Sequence, residues 1–137
     1  MQYWLVKSEP WKWSWDQQVE KGVEHWDGVR NYQASNNMKK MALGDRSFFY
    51  HSNKGLEIVG IVEVVKLYYP DHTDETGRFG MVDFKALYPM ETPVTLKQIK
   101  ADPALGNMAL IKQSRLSVCP VTKDEWHHIC TLGGVDP

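Results

Sequence analysis

Two cysteines in 137 residues, Cys119 and Cys130, are too few for a disulfide framework. They stand too far apart for a C-x-x-C pair, and a zinc site around them would have to borrow His127 or His128 from the segment that carries Cys130. The reading that follows is two small buried thiols, with no metal and no cofactor. No apolar run approaches the roughly 20 residues that cross a bilayer, so no membrane partner is expected. The amino terminus MQYWLVKSEP lacks a basic stretch followed by an apolar one and does not read as a leader peptide. A reducing, cytoplasmic location is the resulting expectation. There is no G-x-S-x-G nucleophile turn and no glycine-rich phosphate loop of either common kind. Charge of one sign is also missing. Sixteen Lys and Arg against seventeen Asp and Glu leave a net charge of −1, which argues against a protein that coats a nucleic-acid backbone.

What remains is an ordinary globular composition, 42% hydrophobic and 24% charged, of a length that fits one domain over residues 1–137. Tyr3-Trp4-Leu5-Val6 reads as a first strand, stopped by Lys7-Ser8-Glu9-Pro10. Ser14 and Gln17 have the spacing of a capping box, and Gly22 supplies a stop, which predicts a helix over Trp15 to Lys21. Ala34, Met38 and Met41 at helical spacing predict a second helix over Asn31 to Met41. Ser47 to Ser52 reads as a strand, Asn53-Lys54-Gly55 as a turn, and Glu57 to Tyr69 as a long returning strand. Gly60 inside that strand marks a bulge or a close approach of another backbone. After a polar loop over 70–80, Met81 to Tyr88 reads as a strand bounded by Pro89 and Pro93. Thr95 caps a short helix to Ala101, Leu116 to Val118 is a last strand ended by Pro120, and Thr122 with Glu125 opens a helix closed by Gly133-Gly134. The sum is an α+β fold, short mixed strands forming a small, partly closed barrel with flanking helices.

The first fifty residues concentrate side chains suited to holding a base. They carry planar aromatics (Trp4, Trp26, Tyr32, Tyr50), amides and hydroxyls (Ser8, Asn31, Gln33, Asn36, Ser52) and cations (Lys7, Lys12, Arg30, Lys39). A flipped base is held by stacking and by hydrogen bonds to its Watson–Crick edge, while Lys and Arg hold phosphates. Five of the six tryptophans fall within residues 4–26. Trp4 reads as core, and Trp11, Trp13 and Trp15 as packing for the start of the first helix. Trp26 lies in the polar stretch His25-Trp26-Asp27-Gly28, where a large exposed aromatic is costly unless it closes a pocket. His51 and Ser52 are strand neighbours pointing to opposite faces, which disfavours them as one catalytic pair.

Tyr3 to Pro10, Trp26 to Ala34, Phe48 to Ser52, Ile58 to Ile61, Tyr69 to Asp71, Lys100 to Pro103, Ser114 to Val118 and Glu125-Trp126 together resemble the EVE domain family, in collinear order over nearly the whole chain. The resemblance implies a PUA-like pseudo-β-barrel, related in shape to YTH readers of methylated adenosine in RNA. It also implies a non-enzymatic reader of modified bases, chiefly modified cytosine in DNA, with some members linked to RNA modification. By that analogy Lys7 and Ser8 lie at the pocket mouth and Trp26 forms an aromatic wall. Asn31, Tyr32 and Asn36 lie on the adjoining segment, and His51 and Ser52 reach in from the next strand. Lys12, Arg30 and Lys39 are the expected phosphate contacts. Where the family usually carries Ala-Arg-Asn-Asn-Met-Arg, this chain has Ala34-Ser35-Asn36-Asn37-Met38-Lys39. Ser35 removes a guanidinium and Lys39 substitutes a point charge for a fork, which predicts altered phosphate holding. The alternatives are an enzyme acting on a nucleotide or another small molecule, with His51, Glu9 and Lys7 as its polar groups, and a protein-interaction module.

Overall fold

In the computed structural model, which describes residues 1–137, six strands form one mixed sheet and five α-helices flank it. The strands are β1 (Tyr3–Ser8), β2 (Val23–His25), β3 (Arg46–His51), β4 (Glu57–Pro70), β5 (Gly80–Thr95) and β6 (Val118–Val121). The helices are α1 (Trp15–Lys21), α2 (Tyr32–Lys39), α3 (Leu96–Ala101), α4 (Ala109–Lys112) and α5 (Lys123–Gly133), with a 3-10 turn at Pro103–Leu105. The sheet order is β2-β5-β4-β3-β1-β6, and the two edge strands do not pair with each other, so the barrel is open. Only β1 and β3 run parallel, with Tyr3 opposite Arg46 and Ser8 opposite His51. The α+β architecture of mixed strands with flanking helices expected from the sequence is the one found, although β4 and β5 are long, at 14 and 16 residues.

The caps act where their spacing placed them. Ser14, Thr95 and Thr122 each accept from the backbone N–H three residues on, and Gln17, Gln98 and Glu125 return the bond. Each such cap contributes about 1 kcal/mol. Gly134 closes α5 in the left-handed conformation. Three short elements, β2, α4 and the 3-10 turn, were not legible, being too brief to show a period.

Prolines do not stop the strands as their sequence positions suggest. β5 runs through Pro89 and Pro93, and β6 through Pro120. Strand β2 pairs with β5 only at Asp83–Lys85, so the later half of β5 is an open edge, and β6 has β1 as its sole neighbour. A residue without an N–H loses nothing on such an edge.

A single cluster of 31 buried hydrophobic side chains fills the space between sheet and helices. Trp126 of α5 stacks on Phe48 at 3.9 Å and on Tyr3 at 4.6 Å, which fastens α5 to the β1–β3 pair. Trp4 is buried and donates through Nε1 to Asp45 Oδ2 at 3.1 Å. Trp15 is buried edge-on to Phe49. Trp11 departs from its expected packing role, at 59% exposed. It sits in a turn in which the amides of Lys12 and Trp13 both donate to the Glu9 carbonyl, and the turn leaves it outside the core.

Gly60 marks the expected bulge, but what approaches it closely is a side chain and not another backbone. It lies opposite Pro89 at a register shift between β4 and β5, and a Cβ there would meet the Trp15 ring at 2.5 Å. The bare backbone is what lets α1 lie against β4. Gly60→Ala must push the indole off, at a cost of about 1–3 kcal/mol. Urea unfolding is expected to show that loss, with a wild-type m-value.

Candidate functional site

Parallel pairing of β1 with β3 brings their carboxyl ends to one edge of the sheet, and antiparallel β6 has its entry there too. Three chain segments therefore leave or approach the sheet together: 7–13, 52–53 and 114–117. The segment after β2 forms a fourth side, held in place because the Trp26 amide donates to the Val82 carbonyl at 2.8 Å. Between them lies a cavity of about 740 Å³. That volume is in the range of small-molecule sites.

Of the eight residues expected to hold a base, Lys7, Ser8, Trp26 and Ser52 line this cavity, as do Lys12 and Arg30 of the three expected phosphate contacts. The other five do not. Asn31 is the N-cap of α2, accepting from the Ala34 amide at 2.9 Å. Tyr32 is exposed and leans on Phe79 at 4.9 Å. Asn36 is exposed on α2, and Lys39 lies over the Tyr68 ring at 5.5 Å. His51 ends β3 and its Nε2 accepts from the Trp15 amide at 3.1 Å, whereas Ser52 lies in the turn that follows and lines the cavity. Burial pushes its pKa below the ordinary value, against the pull of Glu57 and Asp16. Ser35 is buried and bonded to the Tyr68 hydroxyl at 2.7 Å, so position 35 does not face the cavity.

Trp26 is not the exposed aromatic that the polar stretch around it predicts: its residue is only 7% exposed and its ring meets Phe49 and Phe84 edge-on at 5.6 and 5.5 Å. It is core on one side and cavity lining on the other. Ser8 donates to the Trp13 carbonyl and its own carbonyl accepts from the Ser52 amide at 2.9 Å, which closes the 8–13 turn against the end of β3. Lys7 Nζ donates to the Ser114 carbonyl at 2.7 Å, tying down the segment before β6. Burial lowers the Lys7 pKa, with Cys119 acting in the opposite sense. Both thiols are buried, and burial pushes Cys119 up to about 11 and Cys130 to about 12, so neither offers a thiolate.

The lining also contains groups that sequence reasoning passed over: Glu24, Asp27, Ser114, Arg115 and Ser117. Behind the wall stands Asp71, whose side chain has no exposed surface. It accepts from the Gly28 amide at 2.8 Å, Arg30 Nη1 at 3.0 Å, and the Thr73 amide and hydroxyl at 2.7 and 2.6 Å. Its turn with Thr73 was the available signal, an Asp followed by Thr two residues on. Arg30 also donates to the Thr73 hydroxyl through Nη2 at 2.9 Å, so its guanidinium is already largely committed. Lys12 and Arg115 remain the less encumbered cations of the lining, Lys12 meeting only Glu9, at 3.2 Å.

A sheet opened at the ends of a parallel strand pair, with a polar-rimmed cavity there, is the architecture of a PUA-like domain. The chain belongs to the EVE domain family, whose model matches residues 2–132. Among curated proteins it is 35% identical to thymocyte nuclear protein 1 of Mus musculus, over 98% of this chain and 75% of that one. A crystal structure of a protein from Agrobacterium tumefaciens is 52% identical and superimposes with a TM-score of 0.98, covering 100% of this chain and 97% of the other. Human THYN1, solved in complex with 5-methylcytosine-containing DNA, is 32% identical with a TM-score of 0.92 over 100% of both chains.

Asp71 makes the cavity wall sensitive to acid. Burial works to raise its pKa, but the bonds from Thr73, Gly28 and Arg30 outweigh it and hold the carboxyl at about 2 instead of 3.8. A depressed carboxylate contributes stability that is present above its unfolded pKa and lost as pH falls through the folded one. About 2 kcal/mol is therefore expected to drain between pH 4 and pH 2. Urea melts over that range should show the slope in wild type, and a flatter profile in Asp71→Asn.

Proposed function

We propose that this protein is a non-enzymatic reader of DNA that takes one modified base, a modified cytosine, out of the duplex and into the cavity. The observation that carries the reading is the likeness, over the full length of both chains, to human THYN1, a protein solved with 5-methylcytosine-containing DNA. The chemistry of the lining agrees with it. Trp26 offers an indole surface for an unstacked base, worth about 1–3 kcal/mol. Ser8, Ser52 and Ser117, with the backbone around them, offer donors and acceptors for its polar edge. Lys12 and Arg115 supply positive charge for the flanking phosphates without making the protein basic overall. Asn31, Tyr32, Asn36, His51 and Lys39 stand outside the cavity lining.

The nucleotide-enzyme alternative relied on His51, Glu9 and Lys7. His51 is committed to the Trp15 amide and stands outside the lining, and Lys7 is engaged with the Ser114 carbonyl. That leaves Glu9 without a partner for acid–base chemistry.

Fluorescence anisotropy at fixed salt, with duplexes carrying one 5-methylcytosine or none, tests the reading. A preference of about 10–200-fold for the methylated duplex is expected, the discrimination that one methyl-sized group supports. Lys12→Ala should weaken binding to both duplexes alike and reduce the salt slope by about one. Equal affinity for the two duplexes, or turnover of a nucleotide that Glu9→Gln abolishes, would overturn it.

A further inference from the structure

His25 and Asp27 of the cavity lining and His72, which stands outside it, present one ligand atom each, all within 4.8 Å of one another. We propose that they form a binding site for a borderline divalent cation, Zn2+ being the natural occupant. The donors come from two segments that the fold has already fastened together. His25 ends β2, where it pairs with Asp83, and Asp27 follows it by two residues. His72 is borne by the loop after β4, next to Asp71, whose bonds to Gly28 and Arg30 hold that loop against the segment after β2. The two imidazoles face each other edge-on at 4.9 Å.

His25 is held in the manner of a metal ligand. Its Nδ1 lies 2.8 Å from Glu24 Oε1, so in the neutral ring that nitrogen donates to the carboxylate and the Nε2 lone pair is available to an ion. A carboxylate behind the other ring nitrogen is the usual way to fix the tautomer and orientation of a ligating histidine. The free Nε2 faces Asp27 Oδ2 at 3.8 Å. Ligand atoms about 2.0–2.1 Å from a tetrahedral ion stand roughly 3.4 Å apart, so closure asks for about 1 Å of movement. The side chains of His25 and Asp27 are partly exposed and His72 is exposed, which leaves them free to make it.

Two imidazole nitrogens and one carboxylate oxygen suit Zn2+, Co2+ or Ni2+, and are a poor set for Mg2+ or Ca2+, which take oxygen ligands. Three protein ligands leave a fourth position for water or another oxygen donor. An ion here ties the segment 25–27, which lines the cavity, to the loop that Asp71 already braces. The site stands on its own residues, whatever the cavity holds.

Tag-free protein titrated with CoCl2, and separately with ZnCl2, provides the test. One equivalent of Co2+ is expected to give the visible d–d bands of a four-coordinate ion, and Zn2+ to bleach them and raise the melting temperature. His72→Gln and Asp27→Asn, both at exposed positions, should weaken the Zn2+ affinity at least 10-fold, while His127→Gln on α5 should bind as wild type. Absence of one-equivalent binding, or binding that survives His72→Gln and Asp27→Asn, or loss of binding in His127→Gln, would overturn the site.

Discussion

The parallel pairing of β1 with β3 is the constraint on which the rest depends. A parallel neighbour cannot be reached by a hairpin, so the chain must travel from one end of the sheet to the other between them. Here that crossover carries α1, β2 and α2, and therefore Trp15, Trp26 and the 24–30 segment. The same pairing puts two strand ends side by side at the cavity. Backbone bonding between Ser52 and Ser8 and side-chain bonding from Lys7 to Ser114 seal the corners of that opening. Fold and site are one arrangement here, since the residues that close the core at this edge also line the cavity.

Trp26 shows how tightly the two are joined. One edge of its ring is committed to Phe49 and Phe84, and what is left forms the cavity surface. An indole fixed in this way is already immobilised before any ligand arrives, so ordering it adds no cost to binding. Asp71 plays the corresponding part for the polar side. It is one buried carboxylate with four donors, and through Arg30 and Gly28 it sets the position of a wall whose exposed residues would otherwise be free loop.

Local chemistry was legible in the sequence to the extent that it was local. Capping pairs three residues apart predicted the starts of α1, α3 and α5, because the bonds concerned lie within one turn. The prolines in β5 and β6 misled, because their tolerance depends on which strand has a neighbour, a fact of the sheet and not of the segment. Cavity residues divided along the same line. Lys7, Ser8 and Ser52 follow from strand ends, whereas Ser114, Arg115 and Ser117 arrive from more than sixty residues later in the chain. Residues 31, 32 and 36 share a segment with Trp26, yet the start of α2 turns them to capping and surface duties. His72 and His25 likewise meet only through the loop that Asp71 holds, and their separation in sequence hides any ligand spacing.

In the reading proposed above, the cavity at the β1–β3 ends, walled by Trp26, receives the modified base. Fluorine NMR of protein labelled with 5-fluorotryptophan reads that wall directly, with each of the six indoles assigned by a Trp→Phe variant. On addition of a duplex carrying 5-methylcytosine, the Trp26 resonance should shift to a new position, while Trp126, stacked between Phe48 and Tyr3, stays in place. A Trp26 resonance that is unmoved at saturating DNA would contradict the account.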